Sequence, residues 1–300
     1  MVIRYLFTGI TAVMLSTACS RTVSTSFPLP ARTDTSSSIP AITAKEPNSW
    51  KIASPLGTEQ TYISISFTTI ELTSTTDTIR EILQSRSEFT LGLNTADRTT
   101  TFRGALHKFS VNSAGRVASS KQIEFPVEFT GTIAEGMLTL RLASQTQESS
   151  SIPNCSNPML SLLGSIRRAV FVAPREVTRE VIWADSVTTT ICHGMIPITL
   201  TMVETFRPAG EISHRGAHSI LIEHTAKTIF SGEGPQDQHR VSLTGTGISS
   251  GKLYLDPLSG LILETIDEER TTLTVHSSGR RQQFTQVVTD TTTRIQAGLP

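Results

Sequence analysis

Ser249 stands between Gly247 and Gly251 in LTGTGISSGKLYL, residues 243–255, a formal GxSxG. Such a serine becomes a nucleophile when it rides a strained turn between a strand and a helix, with oxyanion donors at the helix start. Asp256 or Asp267 and then His276 follow it, in the order serine, acid, histidine. What comes next, however, is KLYLD, whose alternation predicts a strand, so the elbow lacks its helix. The glycines fail as a phosphate loop too, because a dinucleotide fingerprint must open a helix and a P-loop needs GK followed by Ser or Thr. The stretch reads as a hairpin, with Gly251 supplying a positive φ at its turn.

A second concentration is SHRGAHSILIEH, residues 213–224, with His214, His218, His224 and Glu223. On a strand, His218 and His224 share a face about 20 Å apart, whereas ligands of one metal converge within a few ångströms. His214 and His218 can approach across Gly216, which leaves them as the alternative metal site. Solvated loop and edge histidines are the preferred reading, and no cofactor is expected. Asp267, Glu268 and Glu269 read as a solvated hairpin tip, where shared water gives the carboxyls no division into acid and base. Trp50 and Trp183 have no basic or aromatic neighbours in sequence and read as core or lid residues.

The elements that must position these residues are strands. Threonine is about one residue in seven, a bias that favours strands, and period-two alternation dominates from Trp50 onward. YISISFTT, residues 62–69, sets Ile63, Ile65 and Phe67 on one face, and Ile70 with Leu72 shifts parity as a bulge would. TIREILQSR, residues 78–86, has some helical spacing but leans to strand. Residues 101–111 and the turn around Gly115 predict a hairpin. NPMLSLLGSIRRAV predicts one helix over about 158–170, with Asn157 as cap and Pro158 in the first turn. VTTTIC then runs through His193 and Gly194 into a strand from Pro197 to Phe206. A meander ends the chain, with turns at ISSG, DPLSG (Asp256 to Gly260), DEER and SSGR. FTGTIAEGMLTL, residues 129–140, matches the opening stretch through Gly131 with Gly245 and Gly136 with Gly251, which suggests two similar β units. The expected fold is mainly β, an antiparallel sandwich or curved half-barrel in two related halves with one helix between them. The halves divide at 49–150 and 151–300.

Residues 1–18 read as a signal peptide: Arg4, an apolar run of about 11 residues from Tyr5 to Leu15, then small residues before Cys19. That run falls short of the roughly 20 residues of a spanning helix. LSTAC resembles the lipobox of bacterial lipoprotein precursors, with the departure that Ser16 holds the usual leucine position. The resemblance implies lipidation of Cys19 and, from Ser20 after it, the outer membrane with the body facing the periplasm. Ser16 and Ala18 also satisfy ordinary signal cleavage, and a soluble secreted product is the alternative. With Cys19 taken for lipid, Cys155 and Cys192 are left as a disulfide pair; two separate buried thiols are the alternative. Residues 19–48, rich in Ser, Thr and Pro, read as a flexible tether.

Lys plus Arg and Asp plus Glu are equal at 26 each, so there is no basic field to attract nucleic acid. The chain as a whole resembles β-rich lipoproteins of bacterial envelopes, a likeness that brings no activity with it. Periplasmic lipoprotein carriers, which join a curved sheet to a helix across an apolar cavity, offer an architectural analogy. The function expected is a non-enzymatic, lipid-anchored envelope module that binds or supports something, an apolar ligand, a lipid or an envelope protein among the options. A secreted hydrolase using Ser249 or the histidines is the alternative.

Overall fold

The alternation in the sequence is realised as strands much longer than the turn signals imply. A computed structural model describes residues 48–73, 78–96, 99–113, 116–118, 124–143, 155, 166–167, 169–193, 196–236, 239–277 and 279–295. The strands are β1 (Ser49–Lys51), β2 (Gln60–Thr73), β3 (Thr78–Ala96), β4 (Thr99–Ser113), β5 (Arg116–Ala118), β6 (Val127–Ala134) and β7 (Met137–Leu142). They continue with β8 (Glu176–Thr178), β9 (Trp183–His193), β10 (Ile196–His214), β11 (Ala217–Gln236), β12 (His239–Asp256), β13 (Leu261–Ser277) and β14 (Arg280–Ile295).

Twelve of these form one sheet in the order β3-β2-β14-β13-β12-β11-β10-β9-β7-β6-β4-β5, and a further β3–β4 pairing closes it. With β5 lying outside the ring, the result is a barrel of eleven strands, not a sandwich or a half-barrel. Closure removes the sheet edges that an open half-barrel would have to protect. The ring runs through both expected halves without a break. Of the expected helix, Ile166, Arg167 and Ala169 make a 3₁₀ turn, Val170 follows in irregular backbone, and 157–165 and 168 lie outside the described residues; no α-helix occurs among the described residues. Cys155 and Cys192 are joined by a disulfide with Cα atoms 5.3 Å apart. Closing that 37-residue separation stabilises the fold by about 4 kcal/mol in the chain-entropy account.

Both ends of the barrel are packed with apolar side chains. At the end where the described chain begins, β1 and β8 pair as a small cap, and Trp50, Ile52 and Val177 pack on Phe206, Ile222 and Leu255. Beside them Tyr62, Phe89 and Phe129 form a layer that also takes in Ile166 and Ala169. At the distal end Leu200, Phe230, Leu243, Leu273 and Phe284 meet Ile70 and Leu83 from across the ring.

Several local expectations change. FTGTIAEGMLTL is a hairpin, β6 and β7 turning at Glu135 and Gly136, whereas LTGTGISSGKLYL lies within the single strand β12. ISSG and DEER are strand interiors, while DPLSG and SSGR are turns, with Gly260 at φ 67° and Gly279 at φ 74°. The β2 register is regular, so Ile63, Ile65 and Phe67 face outward and Ile70 faces inward without a bulge.

The repeat does preserve one packing device. Gly131 pairs with Phe102 and Gly245 with Phe230, and a Cβ on either glycine would collide with that ring. Gly104 and Phe129 pair in the same way. The rings lie over glycines of the next strand because nothing else leaves them room. Gly245→Ala is therefore expected to destabilise the fold by about 2 kcal/mol through overpacking. Gly279→Ala, which meets open space and only the left-handed backbone penalty, should lose nearer 1 kcal/mol. Urea unfolding measures both; equal midpoints would contradict the ring-over-glycine packing.

Candidate functional site

Successive side chains of a strand point to opposite faces, so the register tells which residues line the lumen. Between the two apolar ends the inward rows turn polar. One row runs Phe206, His224, Gly251, Asp267, Asp290 and Ser66 across six strands. The next toward the distal end runs Glu204, Ala226, Ser249, Glu269, Val288 and Thr68. Thr228, Gly247, Thr271 and Gln286 continue the belt, and Ser64 and Ser87 flank it on the other side.

Gly251 shows how the sequence builds this belt. His224 on β11 reaches across the β12 backbone at Gly251 to Asp267 on β13, with Nε2 2.6 Å from Oδ1. A Cβ at 251 would lie 2.6 Å from that same Nε2 and would also press on Asp267. The glycine is there for close approach, not for a positive φ. His224 Nδ1 faces Glu204 Oε1 at 3.9 Å, and its ring stacks on Phe206, which stacks in turn on Trp183. Asp290 accepts hydrogen bonds from Ser64 and Thr292, and Glu269 accepts one from Thr271. Thr265, only 3% exposed and inward-facing beside Asp267, has a hydroxyl with no hydrogen-bond partner among the described residues. Burial pushes the Glu204 carboxyl above the ordinary carboxylate range, His224 and Arg167 pull it back, and Asp267 and Asp185 push it up further.

The residues singled out by sequence are scattered by the fold. Ser249 faces inward, with Ala226 and Glu269 on its two flanks. Both ring nitrogens of His224 point at carboxylates, so neither addresses Ser249. His276 lies seven residues along β13 from Glu269, roughly 23 Å away, and Asp256 sits in the turn at the opposite end. There Asp256 takes hydrogen bonds from Ser259, Arg294 and the Leu258 amide, which outweigh its burial and hold its carboxyl below the usual range. His214 is not solvated: it contacts Glu264 at 2.7 Å and stacks on Tyr254, while His218 contacts a different carboxylate, Glu211, at 3.2 Å. Among the described residues no group of three or more His, Cys, Asp or Glu could hold a metal. Asp267, expected in a hairpin tip, is buried in the lumen, and Glu269 beside it also faces inward.

The outer wall differs in kind. Outward positions of β11 run Glu223, Thr225, Lys227, Ile229, Ser231 and Glu233, and those of β13 include Glu268, Arg270, Thr272 and Thr274. A lipid-facing strand would need an apolar outer band, and a charge at its middle costs about 2–4 kcal/mol. This wall mixes threonines and alternating charges with exposed apolar side chains, among them Phe67, Ile82, Val203, Ile229, Ile248 and Ile266.

No family model and no curated protein matches the chain. Among solved structures, OccK2 of Pseudomonas aeruginosa, in complex with glucuronate, is 7% identical at a TM-score of 0.28, covering 81% of this chain and 100% of that one. OpdQ of Pseudomonas aeruginosa is 6% identical at a TM-score of 0.24, covering 79% and 99%. A mutant Rh. blastica porin is 8% identical at a TM-score of 0.19, covering 79% and 100%. Likenesses at this level carry no weight for function, and the chemistry follows from this barrel's own residues.

The raised Glu204 carboxyl fixes the sign of a pH effect. Because the folded state holds that proton more tightly than the unfolded chain, the stability it contributes is full at low pH and is lost as pH rises through the carboxylate range. Glu204→Gln has no such loss, so its stability relative to wild type should grow between about pH 4 and about pH 7. Parallel denaturant melts across that interval measure it; a difference that shrinks with rising pH would contradict the desolvated setting.

Proposed function

We propose that the chain is an exported, lipid-anchored envelope module whose barrel binds a small, polar, amine-bearing ligand and performs no reaction on it. The observation that carries this reading is a partly solvated, acid-rich belt shut between two apolar layers. Ser66, Ser249 and Glu269 face inward yet keep partial exposure, although both ends of the barrel are packed. Glu204, Asp267, Glu269 and Asp290 face the same lumen, whereas the described basic groups near them are Arg167 and His224. A bound ammonium group would donate charge-assisted hydrogen bonds to such carboxylates and offset their desolvation. The unpartnered Thr265 hydroxyl adds a donor and acceptor to the same wall.

An apolar cargo fits this interior less well than a polar one. A hydrocarbon chain would strip water from Asp267 and Glu204 and give nothing back. The hydrolase alternative lacks a histidine turned toward Ser249 among the described residues. The charges spread along the outer wall, such as Glu223, Lys227, Glu233 and Arg270, favour a body standing in water, and the proposed address is the periplasmic face of an outer membrane, held by lipid on Cys19.

Thermal unfolding with millimolar putrescine or ethanolamine, and with palmitate as the apolar contrast, tests the reading. The amines are expected to raise Tm by a few degrees, since saturating ligand stabilises by about 2–3 kcal/mol at a hundredfold excess over Kd. The shift should vanish in Glu204→Gln combined with Glu269→Gln. A shift from palmitate alone, or from none of the three, would contradict it.

A further inference from the structure

We infer that the end of the barrel at which the described chain begins is a membrane-docking face that seats on a phospholipid surface, an orientation that rests on the proposed lipid at Cys19. The two most exposed large apolar side chains of the described residues are both there. Leu56 is 87% and Leu258 86% exposed. They project from adjacent loops: the Ala53 amide donates to Pro257 O at 2.9 Å, and Leu56 bridges to Asn94 at the tip of β3. Val181, Ile182, Ile212 and Ile295 are exposed around the same rim. Phe67, Ile82, Val203, Ile229, Ile248 and Ile266 are also exposed, but they stand singly along the barrel wall at 39–64%, whereas Leu56 and Leu258 project side by side from loops at the end and form an apolar tip.

The distal end is the contrast. None of the exposed large hydrophobics among the described residues lies within three residues of a turn there, and its rim presents His239, Arg240, Arg280 and Arg281. The leucine end carries Lys51 and Arg175 together with Glu176 and Glu180, so its charges balance and the aliphatic side chains supply the attraction to the headgroup layer. Its frame is held firmly enough to present them: Trp50 Nε1 donates to Glu211 at 2.6 Å, Ile52 bonds to Arg175 O, and the Asp256 turn is fixed by Arg294 and Ser259.

Chain length selects the same end. The described chain begins at Asn48 and Ser49 in this cap, 29 residues after Cys19, and a random coil of that length spans roughly 30 Å root-mean-square. A 16-residue strand such as β14, tilted as barrel strands are, makes the barrel roughly 40 Å tall. Turning the distal end to the bilayer would require those 29 residues to span that height as well, whereas with the leucine end on the surface they need not. A bilayer is therefore the occupant that both the chemistry and the connection favour.

The test uses the full chain, isolated from cells and bound to vesicles of phosphatidylethanolamine and phosphatidylglycerol containing brominated acyl chains. Leu258→Trp and Arg280→Trp are compared, each above the common background of Trp50 and Trp183. The added fluorescence at 258 is expected to be quenched at least several-fold more than that at 280. Quenching at 258 no greater than at 280 overturns the docking face. The mass of the N-terminal peptide reads lipidation of Cys19 separately, so a lipidated chain without quenching leaves the anchor standing and removes only the docking. In a Cys19→Ser chain, Leu56→Ser with Leu258→Ser should weaken vesicle partitioning at least tenfold. An unlipidated chain that still shows quenching at 258 keeps the docking face and loses the anchor.

Discussion

Eleven strands cannot close a ring with every neighbour antiparallel, because directions that alternate around an odd number leave one pair parallel. Here the parallel pair is β7 and β9, joined at one register position, Met137 with Thr188. Every other junction of the barrel is a full antiparallel ladder, up to the seventeen paired positions of β11 with β12. The chain reaches this seam by leaving the wall after β7 and supplying β8 to the cap before it re-enters as β9. The weak junction is thus a consequence of count and connection. The disulfide from Cys155 to Cys192 ties β9 back to the segment whose Ile166 and Ala169 pack inside the β2–β7 side of the ring. It places a covalent bond where the hydrogen-bond ladder is thinnest. Asp185, exposed on the part of β9 beyond the bridge, stands opposite Glu204, so the seam adjoins the acidic belt.

The lumen divides labour between its layers. Apolar rows at the two ends supply the burial that drives folding, at roughly 25 cal/mol for each square ångström removed from water. The middle gives up that term. Its side chains are instead satisfied in pairs, His224 on Asp267 and Ser64 with Thr292 on Asp290, which keeps the desolvated carboxylates tolerable. Small residues make the geometry possible: Gly251 lets the His224–Asp267 contact pass over β12, and Gly245 lets Phe230 lie flat in the apolar layer below.

Those same devices decide how much was legible in the sequence. Strand content, the Asp256 to Gly260 turn, the strand character of 78–86 and the cysteine pair all follow from local pattern and composition. The long strands did not, because their centres are polar on the side that faces in. In YISISFTT the apolar residues Ile63, Ile65 and Phe67 look like the core face, yet Ser64, Ser66 and Thr68 line the lumen. Gly247, Ser249 and Gly251, like Asp267 and Glu269, read as turn punctuation for the same reason. One signal was available: odd-numbered positions from Val241 to Leu255 keep period two without interruption, with small residues at the centre and aliphatic ones at both ends. Ring closure between β3 and β4 on one side and β9 on the other joins residues far apart in the chain, and no local pattern carries it. The belt itself, His224 with Asp267 and Glu204, was hidden because its members come from three separate strands.

The reading stands or falls on whether the barrel's middle is a solvated, acid-lined chamber. A crystal structure of the chain grown in the presence of putrescine addresses that most directly. Expected is ordered water in the belt and an amine within hydrogen-bond reach of Glu204, Asp267 or Glu269. A dry, fully packed middle, with putrescine only on the outer wall, would contradict it.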